Sequence, residues 1–444
     1  MLKEISYNNI WKISYPIILS LVAQNVINAT DTAFLGHYGE VELGASAIAG
    51  LLYVSVYMLG FGFSMGSQIV IAMRNGERKY RSIGITFYHS AYFLFFLSAL
   101  IIGLSYWLAP IFLQNIIHSK AIYDASIIYF NYRLIGLTFA YANCLFRGFF
   151  VGITDTKPLI FTAVVMALLN VVLNYGLIFG KLGMPEMGIA GSALASVISE
   201  VFAFFIMIAY VLQNKYHKKF FIFKFGKVYN HLMSKIIKIS SPVMVQHFIA
   251  LFGWFIFFVI IEQMGQRALA VSNIIRSIYL ILMIPVWAFV STNSSLVGNL
   301  IGANRQQLIS LVNKRIIKVS FLSTLFIVIL SAIFARPIIS LYTPDLLIIS
   351  ETIPSYYLIM GVLLIFSITM IIFSTISGAG KTNIALMIEV FTIVIYLVYE
   401  YFIVRFNPSN ILFAWTAEYI YFITIGIVSY WYIKKNKRTL FVRN

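Results

Sequence analysis

Twelve apolar runs, each of a length that crosses a bilayer, occupy most of this chain of 444 residues. They fall at roughly 10–35, 46–73, 83–113, 125–150, 158–180, 188–213, 236–262, 268–300, 312–334, 351–377, 382–404 and 411–433, against the need of a membrane helix for about 20 mostly apolar residues. Composition says the same: 61% of residues are hydrophobic and 11% charged, where soluble domains carry about 25% charged residues. A soluble fold has too little interior for this much apolar surface. Within hydrocarbon each backbone N–H and C=O must be satisfied inside its own segment, so runs of this length become helices. The expected fold class is an all-α integral membrane protein of twelve transmembrane helices, here termed spans 1 to 12.

Basic residues orient the spans. Of 32 Lys and Arg, 25 lie at the N-terminus, at the C-terminus or beside the loops that follow even-numbered spans. Only Lys120, Lys181, Arg267, Arg336 and Arg405 lie in the opposite loops, and Arg133 and Arg276 lie inside spans. The positive-inside rule then places both termini in the cytoplasm. The same rule accounts for the net charge of +17, since cytoplasmic loops face anionic lipid. A nucleic-acid partner is not expected, because no soluble module is present to carry it. The basic, aromatic connector YHKKFFIFKFGK is expected to lie on the membrane surface.

The chain repeats itself. KISYP ends at Pro16 and KISSP at Pro242. The step from Pro16 to Pro242 also carries Gly39 to Gly265, Leu43 to Leu269, Gly76 to Gly302, Gly152 to Gly378 and Thr156 to Thr382. The expected organisation is a six-helix lobe over 1–213, a basic cytoplasmic connector over 214–235, and a second six-helix lobe with a basic tail over 236–444. Six spans is an even number, so the halves are parallel repeats, a plan in which two pseudo-symmetric bundles can rock about a shared site. Pro16, Pro242, Pro285 and Pro354 lie where they can bend spans. Gly62 and Gly66 form a small-xxx-small pair that suits close helix contact.

Acids inside spans are costly and rare, so they are functional candidates. Asp31 in span 1 lies at the depth of Asn170 and Asn174 in span 5 and of Ser192 and Ser196 in span 6. One carboxylate, two amides and two hydroxyls suit a proton or a small hard cation, and equally a neutral network pinning three helices. Glu200, Glu389, Glu418, Arg276 and Tyr141 are candidates for a second-lobe or substrate-cavity role. Arg276 and Glu418 both lie in the outer thirds of their spans, where they can neutralise one another. Glu262 and Glu400 lie near outer ends and are expected to be wetted.

Other chemistries find no support. Cys144 is the single cysteine, so neither an intrachain disulfide nor a thiolate metal cluster is expected. The first segment, MLKEISYNNIWK, carries no small-residue cleavage site and is not expected to be a cleaved signal. GAGKT at 378–382 lacks the first glycine of a phosphate-binding loop, position 375 being Thr, and it ends a membrane helix. HExxH is absent, and no enzyme activity is expected.

ISYPIILS…NATDTAFLGHYG, RGFFVGITDTKPL, LLNVVLNYGLIFG, GIAGSALASVISE and LVGNLIGAN, in this order, resemble the multidrug and toxic compound extrusion (MATE) family, and its proton-coupled, DinF-like branch in particular. The resemblance implies an antiporter of the cytoplasmic (inner) membrane, working as a monomer, that expels cationic or amphipathic small molecules against H+ or Na+ entry. It implies a cation-coupling site at Asp31, Asn170, Asn174 and Ser196, with Gln24 lining the same lobe. Na+ is the alternative ligand at Asp31, Asn170 and Asn174; no cofactor is implied. Asn174 stands where many members carry aspartate, and the missing charge favours protons over sodium. A flippase for a lipid-linked or oligosaccharide substrate and a non-transporting scaffold are the other readings.

Overall fold

The computed structural model describes residues 5–407 and 410–436. Lys3, Lys437, Arg438 and Arg443, and with them the basic tail beyond 436, lie outside the described residues. The helices are α1 (Tyr7–Tyr38), α2 (Glu40–Gly76), α3 (Tyr80–Ile116), α4 (Lys120–Gly152), α5 (Lys157–Phe179), α6 (Gly188–Gln213), α7 (Tyr216–Lys219), α8 (Asn230–Glu262), α9 (Gln266–Leu282), α10 (Ile284–Gly302), α11 (Ile309–Ile333), α12 (Ala335–Ser340), α13 (Leu346–Gly378), α14 (Thr382–Phe406), α15 (Ile411–Trp415) and α16 (Ala417–Lys435). No strand occurs among the described residues. Eleven stretches are long and apolar enough to cross a membrane, counting α15 with α16, and the pair α9 and α10, bent by 44°, makes a twelfth.

Local chemistry sets these boundaries. Pro285 stands at the start of α10; without an N–H and with a fixed φ it begins a helix better than it continues one, so span 8 breaks there. Asp345 caps α13 by accepting from the Leu347 and Ile348 amides at 2.8 and 3.4 Å. Gly180 closes α5 in the left-handed region at φ 63°. Large apolar side chains face outward, with Trp107 78% and Phe326 69% exposed, as suits a surface solvated by lipid.

The chain divides into two compact units. Unit 1 joins the chain up to Ile18 with everything from Val245 onward, and unit 2 is Leu19–Met244. These bounds differ from the sequence division at 213 and 236. α1 begins in unit 1 and ends in unit 2, and α8 does the reverse. The exchange after Ile18 and the exchange after Met244 are separated by the same step as Pro16 and Pro242. Packing explains the assignment. Within unit 1, Ser14 Oγ donates to Thr292 Oγ1 at 2.9 Å, the Trp11 and Phe289 rings lie 6.2 Å apart, and Arg315 donates to the Ile5 carbonyl at 2.8 Å. Within unit 2, Gly66 of α2 lies directly against Ser240 of α8, and a Cβ on Gly62 would meet Met244 Cα at 2.7 Å.

Several of these contacts recur at the same step. Ser14 on Thr292 in unit 1 corresponds to Ser240 on Gly66 in unit 2, with Ser14 matched to Ser240 and Gly66 to Thr292. A Cβ on Gly152 would stand 3.0 Å from the Gln68 carbonyl oxygen, and one on its counterpart Gly378 would stand 2.7 Å from that of Ser294, itself the counterpart of Gln68. Glycine is required at both because two helix backbones touch there.

The connector packs against the helices of unit 2. Phe220 and Ile222 are buried, Tyr216 donates to Asp155, the Tyr229 amide donates to His89 Nε2 at 2.9 Å, and Tyr88 donates to the Lys227 carbonyl at 3.4 Å. Lys218, Lys219, Lys224 and Lys227 remain exposed. Alternating aromatic and basic residues here seal the ends of unit 2 helices and keep the charges wet.

Candidate functional site

Asp31 lies on α1, facing α5 and α6, which pack on each other. Asn170 and Asn174 are one turn apart on α5 and so share a face. Asn174 Nδ2 donates to Asp31 Oδ1 and also to Asn170 Oδ1 at 3.0 Å. Asn170 Nδ2 donates to Ser196 Oγ at 3.3 Å, and Ser196 Oγ donates to Asp31 Oδ2 at 3.2 Å. The four side chains close a ring, and both donors next to Asp31 point at its carboxylate. One acceptor is left over: Asn174 Oδ1 is buried without a hydrogen-bond partner among the described residues.

Two expected participants stand outside the ring. Ser192 is fully buried, but its hydroxyl has no hydrogen-bond partner among the described residues. Gln24 is exposed, two turns before Asp31 on α1. Tyr141 is fully buried, packs against Gly60 and donates to the Val56 carbonyl at 2.6 Å, which gives it the contacts of a packing residue.

A second feature of unit 2 was not read from the sequence. Arg133 on α4 pairs with Glu200 on α6 at 3.0 Å and lies 4.0 Å over the Tyr53 ring. The signal was available in depth. Counted from Lys120 and Gly188, the first residues of their helices, Arg133 and Glu200 lie about 20 and about 18 Å along the helix axis. Arg133 Nη1 and Glu200 Oε2 have no further hydrogen-bond partner among the described residues. The field of Arg133 also reaches Asp31.

Unit 1 corrects two expectations. Glu418 does not pair with Arg276. It accepts from Tyr279 at 3.2 Å and from Tyr396 at 3.3 Å, while the Arg276 guanidinium lies 4.8 Å over the Phe258 ring. Similar depth put Arg276 and Glu418 within range in principle, but their directions around the helix axes differ. Glu400 is not wetted; it is 0% exposed. Its place near a helix end did not reveal that neighbouring helices cover it. Glu389 is buried and accepts from Tyr421, and Glu262 is exposed, as expected.

The MatE family profile matches residues 16–176 and again 242–402, so the second match repeats the first at the step from Pro16 to Pro242. The chain belongs to the MatE family. The MatE relatives of known name include a probable multidrug resistance protein NorM of Thermotoga maritima, 26% identical over 97% of this chain and 94% of that protein. A probable NorM of Photorhabdus laumondii is 27% identical over 75% of this chain and 73% of its own length. The MatE fold is also that of solved structures. A MOP superfamily transporter from Pyrococcus furiosus superposes with a TM-score of 0.91 at 18% identity, covering 98% of this chain and 97% of that one. A MATE protein in complex with MaL6 superposes at 0.90 and 19% identity, covering 98% and 97%. The protein is thus a multi-pass membrane protein of transporter fold.

Proposed function

We propose that this MatE protein is a secondary antiporter of the cytoplasmic membrane, exporting cationic or amphipathic small molecules against proton entry, with Asp31 as the proton carrier. The relatives named for multidrug resistance support the substrate class. One observation carries the mechanism: donors converge on Asp31 while the Asn174 Oδ1 acceptor beside it stays unused. In the carboxylate state Asp31 accepts from Asn174 and Ser196. When Asp31 is protonated, its O–H needs an acceptor, and rotation of the Asn174 amide presents Oδ1 to it. That rotation withdraws Nδ2 from Asn170 and opens the ring, so proton occupancy changes how α1 is tied to α5. A ring with one carboxylate and otherwise neutral oxygens supports protons over sodium. The flippase reading, which asks for a cationic cavity, loses support because the Arg133 charge is compensated by Glu200.

The test is drug accumulation in cells lacking their own pumps, with proton release from energised inverted vesicles as second readout. Asp31→Asn should insert normally, since Asn resembles the protonated acid, and should abolish gradient-driven efflux. Normal efflux by a well-expressed Asp31→Asn would remove Asp31 from coupling. Asn174→Asp restores the second charge and should make transport depend on Na+; indifference to Na+ in that variant would show that this charge does not set ion choice.

A further inference from the structure

The ring around Asp31 has a counterpart in unit 1 that is not a copy. At the step separating the two family matches, Asp31 falls on Phe257, Asn170 on Tyr396 and Asn174 on Glu400. The same step carries Ser192 to Glu418 and Tyr53 to Tyr279. These counterparts also meet one another, though not in the pattern of the first ring. Phe257 and Tyr396 stack at 6.0 Å, and Tyr396 and Tyr279 donate to the two oxygens of Glu418. Glu400 lies one turn after Tyr396 on α14 and so shares the helix face from which Tyr396 reaches Glu418. The acid of the first ring, on α1, is thus replaced by two acids on α14 and α16.

The balancing cation did not follow. The counterpart of Arg133 at this step is Ile359. Arg276 is committed to the Phe258 ring. Among the described residues, the ion pairs leave Glu389, Glu400 and Glu418 aside. Both oxygens of Glu400, itself 0% exposed, and Oε2 of Glu389, 2% exposed, have no hydrogen-bond partner among the described residues. An unpaired buried carboxylate is costly in protein and more so at membrane depth. Its counter-charge must come from outside the chain.

We propose that Glu400 and Glu418 form a second proton-binding site, in unit 1, which loads and unloads without Asp31. A proton fits because the O–H groups of Tyr279 and Tyr396 already point at Glu418, a polarity that opposes a metal cation there. Loading takes H+ from water and converts a carboxylate to a carboxylic acid, with no other bond changed. Glu389 extends the site along α14. It lies three turns before Glu400 on that helix, about 16 Å by helical rise, and Tyr421, its donor, has its ring 5.7 Å from that of Tyr396. The groups facing the site are Tyr279 from α9, Tyr396 from α14, Tyr421 from α16, Trp254 from α8 and the three glutamates themselves.

The experiment is pH-difference infrared spectroscopy of the full-length protein in lipid nanodiscs, across neutrality and above the ordinary titration of exposed glutamate near pH 4. The protonated-carboxyl band should shift when the protein is labelled with 13C-glutamate. It should persist in Asp31→Asn and weaken in Glu400→Gln and in Glu418→Gln. A band that the glutamate label leaves unmoved would overturn the proposal without any mutation, and so would a label-shifted band that neither Glu400→Gln nor Glu418→Gln weakens. An absent band would overturn it equally. Since Asp31 is not a glutamate, this outcome is separate from the fate of the Asp31 mechanism.

Discussion

At the residue scale, the Arg133–Glu200 pair, whose side chains are 12% and 16% exposed, is the sharpest case of two charges that tolerate each other only together. Removing one partner from a buried pair typically costs about 3–5 kcal/mol, whereas replacing both by apolar residues is often neutral or stabilising. Arg133→Met should therefore lower thermal stability in detergent markedly, and Arg133→Met with Glu200→Leu should recover most of the loss. A double variant no more stable than the single one would mean that the Tyr53 contact, and not charge pairing, holds this region. Asp31 differs in kind. Its neighbours are neutral amides and a hydroxyl, so it can change charge without stranding a partner, which is what a carrier requires.

At the element scale, glycine decides where helices touch. Gly152 and Gly378 each let one helix rest on the carbonyl ridge of another, α4 on α2 and α13 on α10. Alanine at either site must push backbone atoms aside, and overpacking of this kind typically costs about 1–3 kcal/mol. Gly103, on α3, has nothing within 4 Å of a built Cβ, and there alanine gains up to about 1 kcal/mol of helix propensity. Melting of the purified variants should thus fall for Gly152→Ala and Gly378→Ala by similar amounts and hold or rise for Gly103→Ala. A large drop for one glycine and none for the other would break the equivalence of the two contacts. Proline works beside glycine at this scale: Pro285 divides one apolar run into α9 and α10, as its lack of a donor requires.

At the scale of the whole molecule, topology rests on charge counted outside the folded core. A reporter fused after Asn444 should be cytoplasmic, and one inserted at Pro185, between α5 and α6, should be external. Accessibility labelling in intact cells checks both, and the reverse pattern would overturn the orientation. The two family matches and the two exchange points share one offset, so the duplication governs the connectivity of the chain as well as its helix order. The units have nevertheless diverged in charge. Unit 2 keeps an acid on α1 and a compensated Arg–Glu pair, while unit 1 keeps buried glutamates, two of them hydrogen-bonded by tyrosine, and no ion pair to these glutamates among the described residues.

The spans, their order, the repeat and the first ring were legible in the sequence, because each depends on position along one axis. Apolar length fixes a crossing helix, and counting residues from a helix end fixes depth, which is enough to bring Asp31 level with Asn170, Asn174 and Ser196. What counting cannot give is direction around the helix axis and the identity of the neighbour met there. Only the tertiary structure set Arg276 on Phe258 and not on Glu418, covered Glu400 near a helix end, left the Ser192 hydroxyl outside the ring, and assigned the starts of α1 and α8 to opposite units. Each of these is fixed by which helix face meets which, and that is settled by packing many side chains at once.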